Sequence, residues 1–235
     1  STISEGLTPE ELVQLLNEYL TAMCDIVSSY HGTIDKFEGD AIIAFWGAPL
    51  ELPDHATVAC HAAIDMQKRN EEMRKTLREQ NRPMLYTRIG MSSGPVVVGN
   101  MGSADRMDYT MMGDVVNLAA RLEGVNKFYQ TFTMISQSTY DLTKDDIDTR
   151  QLDVIRVVGK KEPISVYEVL ERKNQTSSEK SGVVEKYLKA LKLYEERNFA
   201  DASKEFEKVL AIDPDDGPSK SRMEPDIQGR VAIRA

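Results

Sequence analysis

The sequence predicts an α+β domain: a mainly antiparallel sheet flanked by helices. Three observations lead there. β-favouring runs come in adjacent pairs separated by tight Gly- or Pro-marked turns, amphipathic helical stretches alternate with those pairs, and the composition is that of an ordinary folded chain. Of 235 residues, 41% are apolar and 29% charged, which suffices for a sizeable core. The length accommodates one large domain, or one domain with a small appendage.

The helices and strands follow in order. Thr8-Pro9-Glu10-Glu11 supplies a capping hydroxyl, a proline at the first helical position and a Glu three residues after the cap. Leu12, Leu15, Leu16, Tyr19, Leu20, Met23, Ile26, Val27 and Tyr30 then recur at helical spacing, with Gly32 as the left-handed stop. Two β-favouring runs flank Glu38-Gly39-Asp40 and predict a tight hairpin. A long helix spans about Asp54 to Glu79. Leu85 to Ser92 alternates as a strand, Ser93-Gly94 turns, and Pro95 to Val98 is a second strand. Gly99 to Ser103 reads as a loop, Met107 to Met112 as a strand, and Gly113-Asp114 as the start of a helix reaching about Glu123. Thr131–Ser136, Val154–Val158 and Ile164–Val169 complete the strands.

Residues 172–182 lack apolar character and predict a linker. Beyond it, two short helices are expected over about Val183–Arg197 and Phe199–Ile212. Ala190, Ala202, Phe206 and Pro214 fall at the spacing of a tetratricopeptide-like (TPR-like) helical hairpin, assigned to 183–214. A lone hairpin cannot bury its own face, so it must lean on the main domain or on another chain. The tail, 215–235, is polar.

Charge narrows the partners. With 29 Lys and Arg against 38 Asp and Glu, the formal net charge is −9, which excludes a general nucleic-acid-coating surface. An anionic ligand must therefore meet a local cluster of cations. Cys24 and Cys60 sit in helical apolar patterns and form no disulfide framework, so a reducing, cytoplasmic setting is expected. The longest apolar stretch, Ala41 to Leu50, is about half the length that spans a bilayer, and no signal-peptide pattern is expected.

Several polar residues stand where chemistry is feasible. Asp40, at a tight turn beside a hydrophobic strand and four residues after Lys36, is placed to hold a hard cation; equally, most turn aspartates only shape the turn. Asn117 and Arg121 share a helix face one turn apart and together suit a sugar and a phosphate, or form an ordinary solvated face. Lys160 and Lys161 follow Gly159 at a turn, fitted to a polyphosphate or to blunting a sheet edge. The Gly99–Ser103 segment is a weak phosphate signal without the Lys-Ser/Thr ending of a P-loop. The three histidines have no zinc-type spacing with the cysteines.

Taken in order, Lys36-Phe-Glu-Gly-Asp40-Ala-Ile-Ile-Ala-Phe-Trp-Gly-Ala-Pro49, Arg88-Ile-Gly-Met-Ser-Ser-Gly94, Gly99-Asn-Met-Gly-Ser103 and Asp108-Tyr-Thr110-Met-Met-Gly-Asp-Val-Val-Asn117-Leu-Ala-Ala-Arg121-Leu-Glu closely resemble the catalytic domain of class III adenylate/guanylate cyclases. The resemblance covers residues 1 to about 171. It implies a homodimer of antiparallel protomers whose active sites, between the two copies, convert ATP to 3′,5′-cyclic AMP and pyrophosphate. By motif position, the resemblance assigns Asp40 to a metal, Lys36 and Thr110 to the purine, Asn117 to the ribose, Arg121 to the transition state and Lys160 to the phosphates. Two Mg²⁺ or Mn²⁺ ions per site would come with it. Lys at position 36 resembles adenylate cyclases, where guanylate cyclases carry Glu; Thr110 stands where other adenylate cyclases commonly carry Asp, which allows a relaxed purine choice. The family's first metal aspartate precedes a segment like Ser1-Thr2-Ile3-Ser4-Glu5, so residues 1–235 alone are expected to be impaired. A parent protein with an upstream sensory or membrane segment is implied as well. The competing expectations are a catalytically silent nucleotide-binding or dimerisation module, and an interaction scaffold built on the hairpin.

Overall fold

Thr8 begins the first helix, α1 (Pro9–Ser29), as its spacing predicts: its hydroxyl accepts from the Glu11 amide while the Glu11 carboxylate accepts from the Thr8 amide at 2.8 Å. The computed structural model describes residues 7–156 and 162–223. Tertiary contacts divide the chain into two units, one drawn from Ser1–Thr87 and Val96–Met112, the other from Arg88–Pro95 and Gly113–Ala235.

In the first unit, α1 buries Leu15, Tyr19, Met23 and Val27, the stripe its periodicity marks. The helix does not stop on Gly32. His31 takes the left-handed conformation (φ 58°), and Gly32 is needed for closeness instead, since a Cβ there would lie 2.7 Å from Val27 and 2.8 Å from Trp46. Trp46 in turn donates its indole N–H to the Tyr30 carbonyl at 2.9 Å. The hairpin of β1 (Thr33–Glu38) and β2 (Ala41–Phe45) is antiparallel and turns through Gly39 at φ 64°. One register shift interrupts it: Ile34 faces Ala44 and Lys36 faces Ile43, so Asp35 is an extra, bulged residue. Helix α2 (His55–Glu79) buries Cys60, Ala62, Ala63, Met66 and Leu77.

Strands β4 (Val97–Gly102) and β5 (Met107–Met112) make a second antiparallel ribbon in this unit. The segment read as a loop over Gly99–Ser103 is therefore mostly strand. Its backbone from Gly99 to Gly102 is in register with Thr110 to Met107, and the reversal falls at 103–106, where the Ser103 amide bonds the Arg106 carbonyl at 2.9 Å. Two glycines favoured the loop reading, and the cross-strand partner overrode it.

The second unit holds a four-stranded sheet in the order β3 (Ile89–Met91), β6 (Thr133–Ser136), β8 (Ile164–Arg172), β7 (Ile147–Ile155). The β3–β6 pair is parallel and the others antiparallel, so the α+β class with a mainly antiparallel sheet holds. The strand predicted from Leu85 to Ser92 shrinks to Ile89–Met91, its only paired stretch. Helix α3 (Asp114–Tyr129) runs past the predicted end near Glu123 because its last turns are buried. The Asn126 amide donates to the Ile89 and Leu122 carbonyls, each at 3.0 Å, and Gln130 caps the helix in the left-handed region. A short helix that periodicity missed, α4 (Gln137–Thr143), is capped by Ser136.

Helix α5 (Ser178–Glu195) opens inside the segment read as linker, because Ser177 accepts from the Lys180 amide as its N-cap; a first turn facing water needs no apolar residue. Helix α6 (Phe199–Ile212) packs on it, with Tyr187 and Phe206 rings 5.5 Å apart. The hairpin leans on its own unit: Tyr187 donates to the Leu152 carbonyl at 3.0 Å. The polar tail contributes α7 (Gly217–Met223). An ionic cluster clasps it to the sheet. Arg150, 1% exposed, reaches Asp216 and Glu168 at 2.6 Å each, and Arg222 reaches Asp153 at 2.7 Å. Burial opposes the charge on Arg150, but the two carboxylates outweigh it and raise its pKa; for Asp216, burial is likewise outweighed, by Arg150, and its pKa falls.

Candidate active site

The β1–β2 turn places Lys36 near the end of one strand and Asp40 beside Gly39, both exposed. A two-residue reversal needs a residue at positive φ, and Gly39 supplies it without steric cost. Thr110 sits on β5 and is half-buried. The structure joins Lys36 and Thr110 through a residue that sequence reasoning did not single out. Asp35, with a side chain only 4% exposed, accepts from the Thr110 hydroxyl at 2.9 Å and lies 3.6 Å from the Lys36 ammonium. Adjacent strand residues ordinarily face opposite sides; the bulge at Asp35 lets both side chains converge. No propensity marks that bulge. An aspartate inside a β-favouring run was the one available signal.

Asn117 and Arg121 both lie on α3, Asn117 exposed and Arg121 half-buried, while Leu118 and Leu122 on the adjoining face are buried in the second unit's core. The helix presses onto β3 at Gly90, where a Cβ would stand 2.2 Å from both the Ala119 carbonyl oxygen and the Glu123 amide nitrogen. Glycine therefore sets the height at which α3 carries Asn117 and Arg121. The Ser92-Ser93 end of the same strand is tied down by hydroxyls: Ser92 donates to Ser136 at 3.1 Å and Ser93 pairs with Thr139 at 3.0 Å. Lys160 lies outside the described residues.

Among the described residues, no group of three or more His, Cys, Asp or Glu gathers to hold a metal ion, and no helix is long and apolar enough to cross a membrane. The exposed Asp40 carboxylate offers hard oxygen donors of the kind Mg²⁺ and Mn²⁺ take, one or two at a time, with phosphate oxygens and water completing the shell. It fits as one ligand of such a set. The first unit thus offers a cation, an acceptor or donor hydroxyl and a carboxylate, and the second unit an amide–guanidinium pair, side-chain types that nucleoside triphosphate chemistry uses.

The chain belongs to the adenylate and guanylate cyclase catalytic domain family, whose model matches residues 1–171. Adenylate cyclase 1 of Rhizobium meliloti (strain 1021) is 39% identical over 170 residues, which cover 72% of this chain and 26% of that protein. Among solved structures, the adenylyl cyclase CyaB from P. aeruginosa is 37% identical at a TM-score of 0.68, covering 75% of this chain and 90% of that one. The guanylyl cyclase Cya2 is 34% identical at a TM-score of 0.65, covering 74% and 87%. The chain thus spans 26% of its Rhizobium relative and 34% of an Anabaena cylindrica adenylate cyclase.

Proposed function

We propose that the chain is the catalytic portion of an adenylate cyclase that, as a homodimer, converts ATP to 3′,5′-cyclic AMP and pyrophosphate. The observation that supports this best is the convergence of Lys36 and Thr110, 74 positions apart in the chain, on the one buried carboxylate of Asp35. A lysine donor suits the unprotonated N1 of adenine, whereas the N1–H of guanine would meet it donor to donor. The resemblance to an adenylyl cyclase and to a guanylyl cyclase is similar in extent, so the choice of purine rests on this pair.

The reaction joins the ribose 3′-oxygen to the α-phosphorus as the bond from that phosphorus to the leaving pyrophosphate oxygen breaks. Asn117 orients the ribose so that its 3′-oxygen stands in line with that bond. The Arg121 guanidinium, planar and permanently charged, offsets negative charge growing on the α-phosphate, and Lys160 does the same for the pyrophosphate. Asp40 would hold a divalent cation, which when bound would supply Lewis-acid charge neutralisation. Asp40 of one copy works with Asn117 and Arg121 of the other. Val97, Met107, Tyr109 and Met112 on the β4–β5 ribbon are 67%, 60%, 41% and 65% exposed, apolar surface that a second copy would cover.

The test is turnover by the full-length protein with ATP and Mg²⁺ or Mn²⁺. Cyclic AMP and pyrophosphate should form in equal amounts, and Arg121→Ala should lower kcat by about a hundred- to a thousandfold with thermal stability unchanged. Nucleotide binding without any cyclic product would establish the silent module instead.

A further inference from the structure

We propose that Asp35 is a positioning residue that sets the polarity of the purine-reading pair, holding the Thr110 hydroxyl as an acceptor beside the Lys36 donor. The inference rests on the adenylate cyclase reading and deepens it. A threonine hydroxyl carries one proton and two lone pairs, so by itself it meets either a purine amino group or a purine oxo group. An ionised carboxylate has only acceptor sites. The 2.9 Å hydrogen bond from Thr110 Oγ1 to Asp35 Oδ2 therefore uses the single hydroxyl proton and leaves lone pairs for a ligand.

With Lys36 as donor and Thr110 as acceptor, the pair complements the N1 acceptor and 6-amino donor of adenine. Both contacts are reversed for guanine, which presents N1–H and an oxo group. A residue free to rotate its hydroxyl would tolerate either base; Asp35 removes that freedom. Three features of the site fit this role. Asp35 is the extra residue of a β-bulge, a device that re-aims a side chain. Its side chain is 4% exposed, so the hydroxyl bond is shielded from competing water. Its second oxygen, Oδ1, is buried with no hydrogen-bond partner among the described residues. Leaving a buried carboxylate oxygen unmet is a poor choice for a purely structural link, which a neutral side chain would serve at lower cost.

The experiment compares kcat/KM for ATP and for purine riboside 5′-triphosphate, which keeps N1 and lacks the 6-amino group. The full-length wild type should favour ATP by about three- to tenfold, the worth of one hydrogen bond. In Thr110→Val that ratio should fall to near one, while Thr110→Ser should keep it. In Asp35→Ala the freed hydroxyl still accepts from ATP but can also donate to an oxo group, so turnover of inosine 5′-triphosphate relative to ATP should rise by about three- to tenfold. Asp35→Asn, close in shape, can donate its amide to Thr110 and turn the hydroxyl proton outward, so it should raise turnover of inosine 5′-triphosphate relative to ATP. Because each variant is its own reference, a general loss of folding or rate leaves the ratio readable. A ratio near one in the wild type overturns the proposal. So does a ratio of inosine 5′-triphosphate to ATP turnover that is unchanged in Asp35→Ala and Asp35→Asn, with both substrates slowed equally. Absence of cyclic AMP synthesis by the wild type would instead overturn the adenylate cyclase reading itself.

Discussion

Replacing Gly90 by alanine tests how far the reactive helix depends on one close approach. The added methyl would stand 2.2 Å from the Ala119 carbonyl oxygen and 2.2 Å from the Glu123 amide nitrogen, both backbone atoms of α3 that cannot rotate aside. Ordinary contact needs about 3.5 Å, so the helix must lift from β3 by roughly 1 Å or the strand must yield as much. A displacement of about 1 Å at a catalytic group costs on the order of a hundredfold in rate. Asn117 and Arg121 ride on that helix, so Gly90→Ala should lower kcat by about ten- to a hundredfold. Overpacking should also cost about 1–3 kcal/mol, or a Tm lower by about 2–12 °C for a chain of this size. Gly124→Ala is the control on the same helix: open space surrounds that position, and removing a helical glycine should stabilise by up to about 1 kcal/mol. Steady-state turnover with ATP and a thermal melt on the full-length protein measure both. A Gly90→Ala enzyme with wild-type kcat and Tm would refute the argument that this contact sets the height of α3.

Further outcomes follow from the same side chains. Lys36→Glu should lower kcat/KM for ATP and raise it for GTP, because a carboxylate accepts from guanine N1–H; competition between the two triphosphates reads the change directly. Arg150→Ala leaves the buried Asp216 carboxylate with only the Lys180 ammonium, 3.5 Å away, as a cation and should cost up to about 3–5 kcal/mol in denaturant unfolding, whereas replacing both partners, Arg150→Met with Asp216→Leu, removes both buried charges and should cost less. The depressed pKa of Asp216 fixes the sign of the acid response. Its contribution to stability is complete above the ordinary carboxylate value of 3.8 and is lost as pH falls toward the lower folded value. Amide exchange in α7 should therefore accelerate on acidification in the wild type, and that acceleration should be much reduced in Arg150→Ala.

What the sequence made legible is the part governed by local rules. The capping box at Thr8, the buried stripe of α1, the tight turn at Gly39 and the shared face of Asn117 and Arg121 are each determined within about four residues, where propensity and periodicity act. The misses were decided at long range. Gly99 to Gly102 is strand because β5 lies alongside, and the last turns of α3 persist because Asn126 finds the Ile89 carbonyl. The tail from Asp215 read as polar because its charges are answered by Arg150 and Asp153, which lie more than sixty positions away. Asp35 belongs to the same group: its partner Thr110 is distant in the chain, and the bulge that aims it has no compositional mark.

The central claim is that each active site takes Asp40 from one copy and Asn117 with Arg121 from another. Mixing two inactive variants of the full-length protein, Asp40→Asn and Arg121→Ala, tests it most directly. If sites are shared, each mixed dimer carries one intact site and one doubly damaged site, so an equal mixture should regain about a quarter of wild-type cyclic AMP synthesis. A mixture as inactive as its separate components, with exchange of subunits verified, would contradict the account.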